Sequence, residues 1–264
     1  MTNALPAPLD VKLMNTIASV LLVACVLVVL AAGAWWVLRH PAFAIGRIVV
    51  QGELVHNNAV TLRANVAPQL VGNFFTIDLS AARSAFEQVP WVRSAQVRRQ
   101  YPRTLRVVLQ EHHAAAHWGP ESGNDMVNNY GEVFEANSGD AEQDDLPRLS
   151  GPEGEAARVL QMYGLLQPVF EPLDMGIEAL ELSGRGGWQV ALEGGAVVEL
   201  GGGTSEEVVQ RTQRFVRTLT QVAAQHQRRA GALESADLRH SGGYAVRLRG
   251  VATVAPDALK TGRK

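Results

Sequence analysis

The stretch IASVLLVACVLVVLAAGAWWVL, from Ile17 to Leu38, is an uncharged run that no later part of the chain repeats. As a helix with ~1.5 Å of rise per residue it would span roughly 33 Å, close to the ~30 Å hydrocarbon core of a bilayer. Trp35 and Trp36 lie at its far end, where indole rings favour the membrane interface. Lys12 and Arg39 are the first charges on either side. The run therefore predicts one membrane crossing.

A cleaved signal peptide is the alternative, because the small residues Ala32–Ala34 resemble a cleavage site after an apolar stretch. Against this alternative, the apolar run continues to Leu38 and the segment before it carries little positive charge. Lys12 on one side is balanced by Arg39 and Arg47 on the other, so the positive-inside rule is nearly silent about orientation. The 16 residues before the run are too few to fold, which indicates that the working part follows it and is exported.

Composition indicates a folded module that depends neither on nucleic acid nor on disulfides. The formal net charge of the 264 residues is −2, which argues against a protein held to nucleic acid by phosphate contacts. Cys25, the one cysteine, lies inside the apolar run, so the exported part cannot form a disulfide. Arginines crowd the stretch Arg93–Arg106, and acids crowd Glu132–Asp145. Such blocks are usually solvated faces and loops, and a patch that binds a partner is the alternative.

The chain after the apolar run divides into two modules, and the first extends from Phe43 to about Glu111. Its pattern is strand, helix, helix, strand, strand, with Asn57 or Asn58 and then Asp78 as helix caps. The apolar positions of its first helix recur at helical spacing and are expected to pack: Val60, Ala64, Ala67 and Val71. Pro68 should shorten or break that helix. The last two strands should form a hairpin at the Tyr101-Pro102 turn, with alternate residues facing the core: Leu105, Val107 and Leu109.

The second module, from about Trp118 onward, has frequent turn signals and short strands. The strand candidates are Glu132–Ala136, Ile177–Ser183, Trp188–Glu193, Val197–Leu200, Asp237–His240 and Tyr244–Arg249. One predicted helix covers about Ala156–Leu166 and leads into Pro168, and another opens with a capping box at Thr204–Glu207. Gly194-Gly195 predicts a hairpin turn, and Asp140–Asp145 a disordered loop. The fold class is therefore α+β, with a sheet-rich second module that contains two helices.

The residue types used in catalysis are present, but their arrangement does not suit a reaction. Cys25 lies within the span and no Gly-x-Ser-x-Gly elbow occurs, so the usual nucleophiles are excluded. His113 and His117 would be metal ligands on one helix face, yet they follow a strand and lack a Glu-x-x-His arrangement. Gly201–Gly203 precedes a helix as in a phosphate cradle, but no lysine follows. We therefore predict no enzyme, catalytic residue, cofactor or metal; a membrane-anchored hydrolase is the alternative.

Recognition is the remaining function, and the final strand is its candidate. Apolar residues alternate there with exposed-type residues: Tyr244, Val246 and Leu248 against Ala245, Arg247 and Arg249. The last strand of a sheet often lies at an edge, where unpaired N–H and C=O groups can accept an incoming peptide strand. The alternative is an ordinary strand covered by its own tail, and the residues leave both interpretations open.

Motifs follow one another in order along both modules. In the first module they are Phe43-x-Ile45-x-x-Ile48-x-Val50-x-Gly52, Gly72–Asp78 (GNFFTID), Pro90-Trp91-Val92 and Arg99-x-Tyr101-Pro102-Arg103-Thr104-Leu105. In the second they are Asn129–Phe134 (NYGEVF), Leu146-Pro147-x-Leu149-x-Gly151, Trp188, Leu200-Gly201, Asp237-Leu238-Arg239-His240 and Gly242–Val246. With their spacing behind one apolar run, these motifs resemble the FtsQ/DivIB family of bacterial cell division proteins over nearly the whole chain.

The resemblance implies five regions: a cytoplasmic tail (1–16), a transmembrane helix (17–38), a POTRA domain of order β-α-α-β-β (39–112), a β domain (113–252) and a C-terminal tail (253–264). It implies a single-pass protein of the inner membrane, periplasmic at its C-terminus and enriched at the division septum. The implied function is a non-catalytic scaffold that links early and late division proteins. The implied partners are FtsB and FtsL, with neither nucleic acid nor a small-molecule substrate.

The resemblance also implies which residues bind the partner. They belong to the last strand and the loop before it: Arg239, His240, Gly242, Gly243, Tyr244, Ala245, Val246, Arg247 and Leu248. Arg185 falls near a second contact of the family that carries an arginine. His240 and Leu248 stand where the family usually has a tyrosine and often has an aromatic residue. A POTRA-containing secretion or outer-membrane assembly chaperone is the alternative, although an apolar span precedes the module and no run of barrel strands follows it.

Overall fold

The computed structural model describes residues 9–136, 146–240 and 242–251. The chain divides between Glu111 and His112 into two compact units, each with its own sheet. Helices and sheets are combined in both units, so the α+β class predicted from the sequence is confirmed. The acidic stretch 140–145, which was expected to form a disordered loop, lies outside the described residues.

The apolar run lies within one long helix, α1 (Leu9–Leu38), which begins eight residues earlier than Ile17. The segment Asp10–Leu38 is long and apolar enough to cross a membrane, and its most apolar part is not buried against the rest of the described chain. At its end the guanidinium carbon of Arg39 lies 4.0 Å from the centre of the Trp35 ring, a cation–π contact. An apolar helix without a protein cover fits a lipid environment.

The first unit combines a three-stranded sheet with two helices. Its elements are β1 (Arg47–Gly52), α2 (Ala59–Val66), α3 (Leu79–Glu87), β2 (Val92–Gln100) and β3 (Thr104–Glu111). Strand β3 is central, with β1 parallel on one side and β2 antiparallel on the other. The predicted order of strand, helix, helix, strand, strand is confirmed, as is the hairpin at Tyr101-Pro102. Leu105, Val107 and Leu109 are buried as predicted.

Both helices of the first unit begin at predicted caps. Asn58 accepts a hydrogen bond from the N–H of Val60, and Asp78 accepts bonds from the N–H groups of Ser80 and Ala81. These bonds satisfy backbone donors that have no partner inside the helix. As expected, α2 is short, and Pro68 lies in the 3-10 turn that follows it.

The packing face predicted for α2 is wrong. Of the expected residues Val60, Ala64, Ala67 and Val71, all are exposed, with Val60 at 67 % and Val71 at 83 %. Instead Leu62 and Val66 are fully buried against the sheet and α3. Both sets have helical spacing, so periodicity alone does not separate them; the face with the larger side chain, Leu62, buries more apolar area.

The second unit is built on a nine-stranded sheet. Its strands are β4 (Ala114–Trp118), β5 (Asp125–Asn128), β6 (Val133–Glu135), β7 (Arg148–Ser150), β8 (Ile177–Leu182), β9 (Trp188–Leu192), β10 (Ala196–Gly201), β11 (Leu233–Asp237) and β12 (Ala245–Leu248). Their order across the sheet is β12-β11-β10-β9-β8-β7-β4-β5-β6, so β12 and β6 are the edges formed by the described strands. Strands β9 and β10 make the hairpin predicted at Gly194-Gly195.

Two helices cover one face of this sheet, α4 (Ala156–Phe170) and α5 (Ser205–Gln225). Thr204 and Glu207 form the predicted capping box at the start of α5, and Phe215 packs into a core that also contains Trp188 and Phe170. Alternate residues of β8–β10 are buried in this core and the intervening ones are partly exposed. The opposite face of these strands is therefore the wetter one, as is common in sheets with antiparallel pairs.

Several predicted elements of the second unit need correction. The strand placed at Asp237–His240 instead ends at Asp237, and α4 continues past Pro168 to Phe170. Three strands were not predicted: β4, β5 and β7. Because β4 includes His117, that residue cannot share a helix face with His113, as the metal alternative required.

Candidate functional site

The edge strand β12 offers backbone groups that the described chain does not pair. It is antiparallel to β11, from Asp237 opposite Ala245 to Leu233 opposite Leu248, and no other described strand lies on its far side. The N–H of Arg249 donates to the Ala232 carbonyl at 2.8 Å. The bulge in this pairing lies on β11, so the backbone groups of successive β12 residues point alternately towards β11 and away from it. Arg247 and Ala245 therefore direct their N–H and C=O groups to β11, as Arg249 does. The backbone groups of Val246 and Leu248 then face outward, and of these the Leu248 carbonyl accepts a bond from the Val251 N–H at 3.2 Å in the turn that follows.

On one face of β12, the side chains of the strand and of Tyr244, the residue just before it, point towards the core. Leu248 is 5 % exposed, and Val246 and Tyr244 pack against the core of the second unit. The hydroxyl of Tyr244 shares a 2.5 Å hydrogen bond with that of Thr218 on α5, and its ring meets Phe215 edge to face. These contacts hold the strand in place through its side chains, and among the described strands none covers its outer backbone.

The other face of β12 carries Ala245 and Arg247, both exposed. Arg247 lies 3.7 Å from the carboxylate of Glu234 on β11, a loose pair of exposed groups. A shallow depression of about 310 Å³ runs here over β10, β11 and β12. It gives an added strand room for side chains on this face.

The loop before β12 is anchored by Leu238 at one end and by Tyr244 at the other. Leu238 is buried, and its N–H donates to the Glu199 carbonyl at 2.8 Å. His240, Gly242 and Gly243 are exposed, and a Cβ added to either glycine would meet nothing within 4 Å. Ser241 lies outside the described residues.

Asp237 fixes the orientation of Arg239 at the start of this loop. The Asp237 carboxylate accepts from Nε of Arg239 at 2.9 Å, from Nη2 at 2.6 Å and from the Arg239 N–H at 3.0 Å. The side-chain hydrogen bonds from Arg239, with its backbone bond and charge, hold the pKa of Asp237 at about 2, below the ordinary 3.8. The Asp237 carboxylate therefore stays ionised, and able to accept these bonds, at any physiological pH.

Three arginines meet around the turn at the end of β10. Arg185 and Arg239 line one depression of about 560 Å³ together with Arg211 of α5. Gly201 makes this possible, because its φ is +77° and a Cβ there would lie 3.0 Å from Cγ of Arg239. Arg211 donates from Nη2 to the Gly202 carbonyl at 2.7 Å, while its buried Nε has no hydrogen-bond partner within the described chain. We call Arg185, Arg211 and Arg239 the arginine cluster.

The arginine cluster adjoins a second depression of about 470 Å³ on the α5 side of the loop. Its lining includes Arg211, Arg214, His240, Gly243 and Tyr244. The cluster itself has acidic neighbours, since Glu181 and Glu199 line the same 560 Å³ depression, and Glu199 already accepts a 2.5 Å bond from Gln189. The surface beside the edge strand is thus polar, with arginine donors on both sides of the Gly201–Gly202 turn.

The structure brings the ten residues expected from the sequence into one region. Arg239, His240, Gly242, Gly243, Ala245 and Arg247 are exposed, and Arg185 joins Arg239 in one depression. Leu248 differs, because its side chain is in the core and only its backbone faces the edge. Sequence reasoning missed Arg211, which lies on the polar side of an amphipathic helix and comes near the loop only in three dimensions.

Another depression of the second unit, about 830 Å³, shares no lining residue with this region. It surrounds Tyr163, Gly176 and Glu193, and burial and the charge of Glu193 raise the pKa of Tyr163. No group of three or more His, Cys, Asp or Glu residues that could hold a metal occurs in the described ranges 9–136, 146–240 and 242–251.

Family models match both units. Residues 43–112 match the model described as POTRA domain, FtsQ-type, and residues 116–239 match Cell division protein FtsQ/DivIB, C-terminal.

Curated relatives match almost the whole chain. The cell division protein FtsQ of Burkholderia pseudomallei is 42 % identical over 243 residues, which cover 92 % of this chain and 94 % of the relative. The proteins of the same name from Thiomonas arsenitoxydans and Bordetella pertussis are 37 % and 38 % identical, over 92 % and 90 % of this chain and 89 % and 92 % of the relatives.

Proposed function

Since the chain belongs to the FtsQ/DivIB family of bacterial cell division proteins, we propose that it is a non-catalytic scaffold that binds its partners by strand addition to β12. The protein spans the inner membrane once through the part 17–38 of α1, with residues 1–16 in the cytoplasm and both folded units in the periplasm. It acts at the division septum, where it links early and late division proteins. No covalent bond is made or broken in this function.

The observation that carries the proposal is the outward backbone of β12. Val246 presents an N–H and a C=O group, and Leu248 an N–H group, that no described strand pairs, while the Leu248 carbonyl already accepts from the Val251 N–H at 3.2 Å. An extended segment of a partner can pair with them in the same way as a neighbouring strand of the sheet. The proposed partners are FtsB and FtsL, and a short extended segment of one of them supplies the added strand.

The arginine cluster supplies the second part of the contact. Backbone pairing gives affinity but selects weakly among sequences, so selectivity requires side chains beside the strand. Arg239 is preset by Asp237, and Arg211 and Arg185 face the same depression. A carboxylate of the partner next to its added strand would bind there through charge-assisted hydrogen bonds.

The two parts predict different responses to mutation. Val246→Pro removes an outward N–H and leaves the β11 pairing intact, because proline is tolerated on an edge strand where its missing donor would face away from the sheet. Val246→Ala keeps the N–H and only shortens a side chain on the helix-covered face. We expect the proline variant to lose binding of FtsB by at least about tenfold, since several backbone bonds of about 1 kcal/mol each depend on register. The alanine variant should bind as the unmutated chain does.

The experiment measures co-purification and affinity of FtsB with the full-length chain in detergent. Hydrogen exchange of the β11 amides in the same samples tests whether the proline variant is folded. A folded Val246→Pro variant that binds FtsB with unchanged affinity would falsify strand addition. If only Arg239→Gln weakened binding, the arginine cluster rather than the edge would be the contact.

A further inference from the structure

The first unit has a basic face that the proposed partner contact does not use. On the sheet face opposite the two helices, Arg98 of β2 stands directly beside Arg106 of β3. Arg47 of β1 lies on the same face one row closer to the strand ends, opposite Thr104. All three side chains are exposed. We call Arg47, Arg98 and Arg106 the basic face.

Among the residues that the structure describes, none neutralises the basic face. Arg98 donates to the amide oxygen of Gln96 at 3.2 Å and Arg106 to that of Gln51 at 2.9 Å, and within the described chain no carboxylate pairs with any of the three. No Asp or Glu occurs in 39–52 or 93–110, the segments that form β1, β2 and most of β3. Like charges at directly opposed positions destabilise a sheet, so an anionic partner would relieve a real cost.

The basic face lies at the end of the unit where α1 enters. The side-chain amide of Asn73 donates to the Leu38 carbonyl at the end of α1. The hairpin turn after β2 is also close, since the Gly46 N–H donates to the Arg103 carbonyl at 2.9 Å and Arg103 Nη1 reaches the Ala42 carbonyl at 3.4 Å. Strands β1 and β3 begin at this end, so Arg47 and Arg106 are within three positions of it. At ~3.3 Å per residue, that is roughly one Debye length.

Exposed aromatic residues accompany these charges. Tyr101 at the hairpin tip is 86 % exposed, and Phe75, which meets Phe43 edge to face, is 45 % exposed. Tyrosine and tryptophan concentrate at membrane interfaces, and Trp35 and Trp36 already stand at the end of α1. A short tether, eight residues from Arg39 to Gly46, keeps this surface beside the bilayer at high effective concentration.

We propose that the basic face binds the anionic phospholipid headgroups of the membrane that α1 spans, with Tyr101 at the interface. The ligand is the lipid phosphate group, which the arginines bind. Because α1 tethers the first unit to the membrane, the basic face stays close to these phosphates. This contact is separate from the β12 edge. It restrains the first unit against the membrane without requiring any partner protein.

The test uses the full-length chain with Cys25→Ser and Gln100→Cys, labelled at the single cysteine with an environment-sensitive fluorophore. Gln100 is exposed at the end of β2, beside the hairpin tip, so Tyr101 is kept. The protein is placed in nanodiscs of phosphatidylcholine alone or with roughly one-third phosphatidylglycerol. We expect blue-shifted emission and quenching by nitroxide-labelled lipids with phosphatidylglycerol only, both reversed by about 0.5 M salt.

Charge variants separate the basic face from general attraction. The variant R47Q/R98Q/R106Q should reduce the lipid-contact equilibrium by more than about tenfold, since each arginine near an anionic surface contributes about fivefold. The control R63Q/R217Q/R229Q removes the same charge from exposed positions elsewhere and should behave as the unmutated chain. Equal quenching in both disc types, no quenching in either, or a phosphatidylglycerol response that survives R47Q/R98Q/R106Q would overturn the proposal.

Discussion

Glu111, the last residue of β3, provides the strongest single test of how the first unit is held together. Its side chain is 2 % exposed and accepts four hydrogen bonds from the segment that leads into α2. Oε2 accepts from the N–H groups of Val55 and His56 at 2.9 and 3.0 Å. Oε1 accepts from the N–H and the side-chain amide of Asn57, both at 3.0 Å. A carboxylate suits this position because both of its oxygen atoms accept hydrogen bonds.

Glu111→Gln keeps the shape and replaces one acceptor with an NH₂ group. Whichever oxygen is replaced, two donors lose their acceptor and meet another donor. Hydrogen bonds to a charged group are worth about 1.5–3 kcal/mol each, so we expect the unfolding free energy of the first unit to fall by about 3–5 kcal/mol. That loss is a large part of the about 5–15 kcal/mol that stabilises a typical domain.

Hydrogen exchange of the full-length chain, followed by mass spectrometry, measures this loss locally. Amides of residues 53–57 and of β1 should exchange more than about 100-fold faster, the factor that corresponds to about 3 kcal/mol. Glu153→Gln is the matched control, because it makes the same chemical change at an exposed position of the second unit. If Glu111→Gln accelerated exchange no more than Glu153→Gln, the four bonds would contribute little and the reasoning would be refuted.

Three further outcomes follow from local geometry. Gly131→Ala should destabilise the second unit by at least about 1 kcal/mol more than Gly154→Ala in thermal unfolding, because both glycines have positive φ but only at Gly131 would the Cβ overlap the first turn of α4, at 2.5 Å. Tyr244→Phe should cost about 1 kcal/mol and speed amide exchange in 242–248, and unchanged exchange would show that the hydroxyl does not anchor β12. Stability from the Asp237–Arg239 pair should be complete above pH about 3.8 and lost as pH falls through about 2, since the folded pKa is the lower one. Because the pair is exposed to water, this loss of stability in acid unfolding should be small, and it should be absent in Asp237→Asn.

The sequence was sufficient wherever a regular period and a cap coincide. Helices α3 and α5 begin at their expected caps because one polar side chain satisfies donors that the helix leaves open. Strand β11 was misplaced for the opposite reason. Its bulge at Glu234 interrupts the alternation of buried and exposed residues, so the period of two that marks a strand is lost. Strands β5 and β7 have four and three residues, too few to show a period.

The local structure of the candidate site was predictable from the sequence, but the contacts between residues far apart in the sequence were not. The alternation from Tyr244 to Leu248 predicts a half-buried strand, and among the described strands β12 lies at the sheet edge. Which backbone groups face outward depends on the register with β11, which no local pattern records. The same limit applies to Arg211, because its proximity to Arg239 arises from the turn at Gly201 and not from spacing. Binding of a partner to these residues stays a prediction.

The nine-stranded sheet gives an added strand a direction as well as a place. Neighbouring strands in a sheet are rotated by roughly 20–25° relative to one another, always with the same hand. A tenth strand on β12 would inherit that rotation, so the angle at which the partner leaves the domain is fixed by the nine strands already in the sheet. The direction in which the partner's chain continues would then be set by the twist of this sheet. A helix that follows the added strand would take its orientation from that direction, independently of its own side-chain contacts.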